Sequence, residues 1–397
     1  MLIQNLINTF WIILQIAIGY NLVLPILLLI GYLLVKSQQI TNHYPTDSAN
    51  EADYAIIVTA YEQTDLLSGV IASILQLNYN NYLVYIVADK CDVTNLHFED
   101  ERVIVLQPEE VLASNTRSHF YAINRFKRNH ERLAIIDSDN LVDPNFLNEL
   151  NRSFDQGFYA VQGLRDAKNL DTLYACLDAA RDIYYHFYDG KVLFAMGSSA
   201  TLAGSGMAFT TRLYKACLAH QDITGAGFDK ILQKEIVNRG YRIAFAQGAI
   251  VNDEKTSKSD QLVNQRARWI NTWFKYFSFG FGLVGKGLLK RNLNQLLFGL
   301  ILLRPPLFIF LILGFFCMVI NIFLNPFIAM IWLIGFMLFI AGFILSLVMN
   351  KTNPKIYKSL WGIPKFIFFQ VLSLLKVRNA NKHSIATKHF HDEKKAE

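Results

Sequence analysis

The chain has 397 residues, of which 52% are hydrophobic and 18% are charged. This balance is too apolar for an ordinary soluble protein and too charged for a bundle of membrane helices, so we expect a folded domain flanked by membrane spans. The net charge of +6 is small and concentrates beside the apolar segments, which favours membrane lipid as a partner and excludes nucleic acid. The four cysteines are scattered and form no C-x-x-C pair, which indicates neither a disulfide framework nor a zinc site.

Residues 11–35 form an uncharged apolar segment near the start of the chain. A helix of this length rises far enough to cross a hydrocarbon core of about 30 Å. A secretory signal peptide is the alternative, but no Lys or Arg precedes the segment and no A-x-A cleavage site follows it. We therefore predict that residues 1–36 form an N-terminal transmembrane anchor.

Between residues 50 and 290, short β-branched runs alternate with amphipathic helical stretches. This alternation predicts an α/β domain with a mostly parallel sheet and helices on both faces, and such sheets bind ligands at the carboxyl ends of their strands. The expected strands of the first half are 54–60, 83–89, 102–106 and 133–137, and the expected helices lie near 65–77 and 114–130.

Polar residues cluster at the ends of three of these strands, in residues 59–62, 89–92 and 137–140, and we expect them to converge on one site. In the third cluster, Asp137 and Asp139 directly follow a buried strand, so both can reach one hard cation. Mg²⁺ and Mn²⁺ prefer oxygen ligands and share them with substrate phosphates. A D-x-D pattern is common in loops, so its position at a strand end is what favours a metal site.

The second half of the domain is less regular. Gly204 and Gly206 flank Ser205 just before a predicted strand, and these glycines fit two interpretations equally well. They allow either a close approach of the backbone to a ligand or a tight turn. The expected elements of this half are a strand at 158–163, a helix near 170–189 and a strand at 207–210.

Asp229 follows a Gly-Ala-Gly turn and begins a predicted helix, residues 229–239. The helix dipole stabilises a carboxylate in the first turn, which would account for this residue without any chemistry. The same position also suits a general base. Both interpretations are compatible.

Two apolar runs, 296–324 and 327–349, follow the domain with only Asn325-Pro326 between them, so we predict a transmembrane hairpin over residues 296–349. Arg304 interrupts the first run and is expected at the cytoplasmic interface. Basic residues flank the three predicted spans on one side, which places the middle domain in the cytoplasm. They are Lys36, Lys286, Lys290, Arg291, Lys351, Lys355 and Lys358.

The end of the chain contains one more apolar segment. Residues 360–377 are short and broken by a proline, which predicts an interfacial or re-entrant helix, with a further span as the alternative. Residues 378–397 form a polar tail. Its His383, His389 and His391 fit a solvated tail better than a metal site.

Eight short segments, taken in chain order, resemble the membrane-embedded family 2 glycosyltransferases, the group of cellulose, hyaluronan and chitooligosaccharide synthases. The resemblance covers about residues 50–275, and the flanking apolar segments match the layout of the group. It implies a GT-A fold for the cytoplasmic domain and a location in the cell membrane. The segments are "VTAYEQ", "VADKCDVT", "DSDN", "VQG", "GSGMAF", "TGAGFDK", "VNDEK" and "QRARW".

The resemblance also implies roles for individual residues. Asp139 is the more direct ligand of Mg²⁺ or Mn²⁺ and Asp137 is the second, while Asp229 is the base that deprotonates the acceptor hydroxyl. A single displacement then inverts the anomeric centre of a nucleotide sugar, with uridine diphosphate favoured, and gives a β-glycoside. The nucleotide-sugar contacts are expected from Thr59, Tyr61, Glu62, Asp89, Asp137 and Arg268, and the acceptor contacts from Gln265, Trp269, Gly204, Ser205 and Gly206.

The Q-x-x-R-W element combines three side chains suited to this chemistry. On a helix, Gln265, Arg268 and Trp269 share one face. Arg268 can neutralise a departing diphosphate with its forked donors, and Trp269 offers a flat face to a sugar ring. An amphipathic helix that Trp269 and Trp273 anchor at the bilayer surface is the alternative, and both can hold.

Three functions stay open. The first is synthesis of a β-linked cell-surface polysaccharide or oligosaccharide, with other synthase or export subunits as partners. The second is transfer of a single sugar to a lipid acceptor, which needs fewer spans than a polymer channel. The third is an inactive scaffold subunit. The chain departs from the family pattern where Phe228 replaces the usual acid before Asp229, but no expected catalytic carboxylate is lost.

Overall fold

The computed structural model describes residues 2–38 and 51–380. The predicted tail, with His383, His389 and His391, lies outside the described residues from residue 381 onward. Among the described residues, one sheet of eight strands forms the centre of the domain. The strands are β1 (Tyr54–Tyr61), β2 (Tyr82–Asp89), β3 (Val103–Leu106), β4 (Arg132–Asp137), β5 (Leu141–Val142), β6 (Ala160–Ala167), β7 (Met207–Thr210) and β8 (Ile243–Asp253).

The strand order is β3-β2-β1-β4-β7-β6-β8-β5. The β3-β2-β1-β4 half is parallel throughout, as predicted, which brings the ends of β1, β2 and β4 to one edge. Strand β7 pairs antiparallel with both β4 and β6, and β5 pairs antiparallel with β8. The sheet is therefore mostly parallel with antiparallel insertions, and the α/β fold class is confirmed.

Successive side chains of β1 enter two separate cores because a strand points alternate residues to opposite faces. Ala55 and Ile57 pack in the core on one face, whereas Ile56 and Val58 pack in the core on the other. A continuous apolar run is therefore required in a strand that is covered on both faces.

In residues 2–38 and 51–380, fifteen α-helices surround the sheet or continue beyond it. The helices of the first half are α1 (Leu2–Gln38), α2 (Leu67–Leu75), α3 (Asn115–Ile123), α4 (Phe146–Asp155), α5 (Leu173–Tyr185), the π-helical turn His186–Val192, α6 (Leu193–Ala195) and α7 (Thr211–Leu218). The later ones are α8 (Phe228–Asn238), α9 (Ser259–Tyr276), α10 (Phe279–Leu289), α11 (Leu293–Leu303), α12 (Leu307–Leu324), α13 (Pro326–Met349), α14 (Pro354–Ser359) and α15 (Ile363–Leu374).

Within the part of the chain that the structure describes, three helical segments are long and apolar enough to cross a membrane: Leu2–Val35, Leu307–Leu324 and Pro326–Met349. They pack on one another, since Gln15 of α1 accepts a hydrogen bond from the indole N–H of Trp332 at 3.0 Å. Helices α12 and α13 form a hairpin at Asn325. The side chain of Asn325 accepts hydrogen bonds from the backbone N–H groups of Phe327 and Ile328 in the first turn of α13.

The hairpin is shorter than the predicted residues 296–349. Residues 293–303 form the separate helix α11, which ends at Leu303, has Arg304 as its C-cap before Pro305-Pro306, and packs on α10. A Cβ on Gly280 of α10 would lie only 2.7 Å from the carbonyl oxygen of Gly299. Arg304 is buried rather than placed at the interface, because it forms an ion pair with Asp189 of the π-helical turn.

The predicted interfacial segment 360–377 begins with a 3-10 turn and continues as α15, a helix of 12 residues. A span needs about 20 residues, so α15 is too short to cross a bilayer. It lies against the domain: Phe366 packs with Leu177 of α5 and Leu262 of α9 in one apolar cluster.

Candidate active site

A cavity of about 1700 Å³ lies at the carboxyl ends of β1, β2 and β4 and continues between α12, α13 and α15. Its sheet side is polar and its far side is apolar. Among the residues predicted from sequence, ten line it: Thr59, Tyr61, Asp89, Asp137, Asp139, Gly204, Asp229, Gln265, Arg268 and Trp269. The structure thus brings together residues from most of the length of the domain.

The D-x-D loop is held by a serine from another part of the chain. The backbone N–H of Asp137 donates to Oγ of Ser205 at 3.0 Å, and that hydroxyl donates to the side chain of Asn140. Asn140 in turn donates to Oδ1 of Asp139 at 3.0 Å. The chain Ser205–Asn140–Asp139 therefore fixes the loop that carries both acids.

Asp137 lies in a crowded acidic environment. Burial, together with the negative charges of Asp139, Asp253 and Asp229, raises the pKa of its carboxyl to about 6 against the opposing charge of Arg165. A divalent cation would relieve this repulsion, so the donor set fits Mg²⁺ or Mn²⁺.

The protein alone does not complete a metal site within residues 2–38 and 51–380. No three His, Cys, Asp or Glu side chains of this described part converge as ligands. Two carboxylates with water and substrate phosphates are nevertheless a common ligand set for Mg²⁺. The residues present would hold the ion from one side and leave the rest of its shell to the donor.

Asp229 lies in the first turn of α8. Its Oδ2 lies 2.9 Å from Nζ of the neighbouring Lys230. The turn before it depends on Gly227, which has φ +103° and begins the helix. A Cβ at this position would lie 2.5 Å from the ring of Tyr276 and 2.8 Å from Cγ2 of Thr272. Gly227 thus allows the Asp229 turn to approach α9, the helix that carries the Q-x-x-R-W residues.

The first two strand ends form one wall of the cavity. Thr59 and Tyr61 line the cavity from the end of β1. Asp89 lines it from the end of β2, and its carboxylate accepts hydrogen bonds from the N–H groups of Leu112 at 2.9 Å and Ala113 at 2.7 Å. Asp89 therefore also holds the loop before α3, which its sequence position alone does not reveal.

Glu62, Ser205 and Gly206 do not line the cavity. Glu62 pairs with Lys90 at 2.7 Å, with both side chains largely in solvent. Ser205 is fully buried behind the D-x-D loop, and Gly206 has φ +64° where a Cβ would lie 2.7 Å from Val251. The structure gives Ser205 and Gly206 structural roles, and Gly204 of the same glycine-rich turn reaches the cavity surface. The ligand contacts expected of Glu62, Ser205 and Gly206 stay predictions.

Seven charged residues form a continuous ion network along the cavity wall, with four cations against three carboxylates. Although burial opposes it, Asp182 and Asp253 raise the pKa of Lys255 to about 12, so this buried lysine stays charged. The network runs through Arg165, Asp253, Lys255, Asp182, Arg181, Asp178 and Arg266.

Helix α9 contributes Gln265, Arg268 and Trp269 to the cavity lining. The side-chain oxygen of Gln265 accepts from Thr256 at 2.9 Å, which ties the helix to the segment after β8. Trp269 is 40% exposed, and the guanidinium groups of Arg181 and Arg266 lie 4.2 and 4.1 Å from the centre of its indole ring. The ring that was expected to stack on a sugar therefore already stacks with arginine.

The sequence contained a signal for part of this network. Asp178, Arg181 and Asp182 are charges at i, i+3 and i+4 in a predicted helix, and their burial follows from pairing with Arg266 and Lys255. This pairing requires that α9 and the end of β8 lie beside α5, and no local sequence pattern predicts that arrangement.

Comparison with known proteins agrees with this geometry. The model of the family described as "Glycosyltransferase like family 2" matches residues 52–272, more than half of the chain. Among solved structures, the chain is similar to mannosyltransferase PcManGT from Pyrobaculum calidifontis, in complex with GDP-Man and Mn²⁺. The TM-score is 0.56 and the identity is 14%, over 92% of this chain and 98% of that one. The fold is therefore GT-A-like.

A second similar structure is TarS of S. aureus, with a TM-score of 0.37 and 14% identity over 57% of this chain and 49% of that one. This similarity is too low to support a conclusion. No curated protein matches the chain.

Proposed function

The chain belongs to glycosyltransferase-like family 2 and is a glycosyltransferase, and we propose that it catalyses metal-dependent, inverting transfer from a nucleoside diphosphate sugar. One observation carries the proposal: Asp137, Asp139 and Asp229 come from separate segments and meet in one cavity at the strand ends. A scaffold without activity has no need for this convergence.

Asp139 and Asp137 would hold Mg²⁺ or Mn²⁺, which supplies positive charge to the diphosphate of the donor. The manganese ion in the PcManGT complex supports this choice of cofactor. Thr59, Tyr61 and Asp89 would contact the nucleotide from the ends of β1 and β2. Arg268, from α9, would add its guanidinium to the side of the cavity where the diphosphate leaves.

Asp229 would act as the general base. It sits at the start of α8, on a turn fixed by Gly227, and lines the same cavity as the metal-binding acids. As the acceptor oxygen attacks the anomeric carbon, Asp229 takes its proton and the bond from that carbon to the diphosphate breaks on the opposite face. One displacement of this kind turns an α-linked donor into a β-glycoside.

The nucleobase of the donor is the more specific part of the proposal. The sequence resemblance favours uridine diphosphate, whereas PcManGT was solved with GDP-Man. We keep a uridine diphosphate sugar as the proposed donor. Cell-surface oligosaccharide synthesis and transfer to a lipid remain the two candidate pathways.

The apolar helices support a membrane location. We propose that α1 anchors the chain, that α12 and α13 span the bilayer as a hairpin, and that α15 lies at the interface. The basic residues that flank these segments favour a cytoplasmic catalytic domain in the cell membrane.

The test uses the full-length protein in lipid nanodiscs with Mn²⁺ or Mg²⁺. A panel of uridine and guanosine diphosphate sugars is offered, and nucleoside diphosphate release is followed for the wild type and Asp229→Asn. We expect release from one donor that requires the metal and falls by about a hundredfold or more in the variant. Absence of release from every donor, or equal release by the variant, would refute the proposal.

A further inference from the structure

The cavity does not end at the polar site. It continues as an apolar arm lined by side chains of α12, α13 and α15, among them Leu311, Phe339, Phe343 and Phe366. Such a lining suits a long hydrocarbon chain, because apolar surface gains free energy when it leaves water for an apolar environment.

The arm opens on the outer surface of the apolar helices. Ile340 and Ile344 of α13 line the arm and are also 53% and 37% exposed. Trp361, just before α15, lines it and is 93% exposed. In a membrane these exposed faces would contact lipid, so an apolar chain could enter the arm from the bilayer without passing through water.

Arg266 lies where the polar and apolar parts meet. Its guanidinium donates to Asp178, lies 4.1 Å from the ring centre of Trp269, and lies 5.9 Å from that of Phe366 in the arm. Arg266 is 2% exposed, and its Nε and Nη1 have no hydrogen-bond acceptor among the residues that the structure describes. A buried donor without an acceptor is costly, and each of these two N–H groups can donate to an oxygen of an anion such as phosphate.

These features follow one another as Trp269, Arg266 and Phe366: an indole ring packed against arginine, a buried guanidinium with two N–H groups that lack an acceptor among the described residues, and an apolar channel. We propose that the acceptor is a lipid-linked sugar, in which phosphate joins the sugar to a long apolar chain. The sugar would lie toward Asp229, the phosphate at Arg266 and the chain in the arm. This inference rests on the proposed function and identifies the class of its acceptor.

The reaction balances without another reactant. A hydroxyl oxygen of the lipid-linked sugar forms a bond to the anomeric carbon of the donor, and the bond from that carbon to the donor diphosphate breaks. The electron pair leaves with the nucleoside diphosphate, and the hydroxyl proton goes to Asp229. The product stays attached to the lipid, so it would be consumed by an enzyme that extends or exports lipid-linked sugars.

The first experiment compares acceptors, using wild-type protein in phosphatidylcholine nanodiscs and a radiolabelled form of the donor that supports diphosphate release. The probes are N-acetylglucosamine linked to farnesyl diphosphate, the free N-acetylglucosamine disaccharide, farnesyl phosphate and phosphatidylglycerol. We expect label in the organic phase with the first probe, at a rate about tenfold or more above the others. Equal or faster transfer to any other probe would overturn the proposal.

The second experiment measures binding without turnover, so that it does not depend on catalysis. Binding of the radiolabelled farnesyl-linked sugar is measured in EDTA for two variants, Ile340→Trp and Ile334→Trp. The indole of Ile340→Trp would fill the arm. Ile334 lies on the same helix with almost the same exposure, 52%, but does not line the cavity. We expect binding to weaken about fivefold or more in Ile340→Trp only.

The third comparison tests the phosphate position. Arg266→Lys keeps a positive charge but removes the forked donors, so it should weaken binding of the diphosphate-linked probe about tenfold. Binding of the matching farnesyl glycoside, which lacks phosphate, should stay within about twofold. If Ile340→Trp and Ile334→Trp bind alike, or Arg266→Lys weakens both probes equally, the lipid-linked acceptor is refuted even when donor turnover is normal. If no donor turns over while the binding differences are found, the proposed function fails and the lipid site stands.

Discussion

Arg304 donates a hydrogen bond from Nη2 to Oδ2 of Asp189, and both side chains are buried. This pair joins the turn before α12 to the π-helical turn after α5, so it connects the apolar hairpin to the sheet domain. Two charges removed from water are tolerated only as a pair, which makes each of them dependent on the other.

We therefore predict that Arg304→Met destabilises the protein by about 3 to 5 kcal/mol, because Asp189 is left buried and unpaired. The double variant Arg304→Met/Asp189→Leu should recover most of this loss. Thermal unfolding in detergent measures both. A double variant no more stable than the single one would show that the pair is not the reason for the loss.

Gly227 provides the second prediction. Gly227→Ala should lower transfer about tenfold or more, because the methyl group would meet Tyr276 and Thr272 and displace the turn that carries Asp229. Gly240→Ala is the matched control: Gly240 has φ +85°, but a Cβ there meets no atom within 4 Å.

Both substitutions cost about 1 to 2 kcal/mol of backbone strain. The steady-state rate and the melting temperature of each variant are measured together. Equal rates for the two variants would mean that contact with α9 does not position Asp229.

The raised pKa of Asp137 should make the stability of the metal-free protein depend on pH. Its pKa is about 6 in the folded protein, above the ordinary value near 3.9, so the folded state binds more protons than the unfolded state between these values. The free energy of unfolding should therefore fall as pH rises from 4 to 6, by on the order of 2 kcal/mol for this group.

The measurement is thermal unfolding in EDTA over this pH range, for the wild type and Asp137→Asn. Other carboxylates titrate in both proteins, so the difference between the two curves isolates Asp137. Added Mn²⁺ should remove the decline, because the cation stabilises the ionised carboxylate. A difference that does not change with pH would contradict the prediction.

Ser205 supports the D-x-D loop through the N–H of Asp137 and the side chain of Asn140. Ser205→Ala should weaken metal binding about tenfold, as expected when a partner of a metal-binding loop is lost. Ser346→Ala is the control, since Ser346 is equally buried but its hydroxyl donates only to Phe343 within α13. Mn²⁺ titration followed by calorimetry compares them, and unchanged affinity in Ser205→Ala would exclude the supporting role.

The predicted strands of the first half agree closely with β1, β2, β3 and β4 because their apolar side chains fill cores on both sheet faces. The helix expected near 114–130 is shorter, since α3 ends at Ile123. The antiparallel insertion of β7 was not predicted, because strand order depends on contacts between distant segments rather than on local periodicity.

The features of the site also divide into those that the sequence predicts and those that depend on contacts between distant segments. Local patterns in the sequence determined that Asp137 and Asp139 follow a buried strand, that Asp229 begins a helix, and that Gln265, Arg268 and Trp269 share a helix face. Only the tertiary structure decided that Ser205 lies behind the D-x-D loop, that Arg304 pairs with Asp189, and that the cavity continues to Phe366. The periodicity of apolar residues shows which side of a segment faces water and which side faces a core. The partner of a buried charge and the shape of a cavity depend instead on which segments the fold brings together.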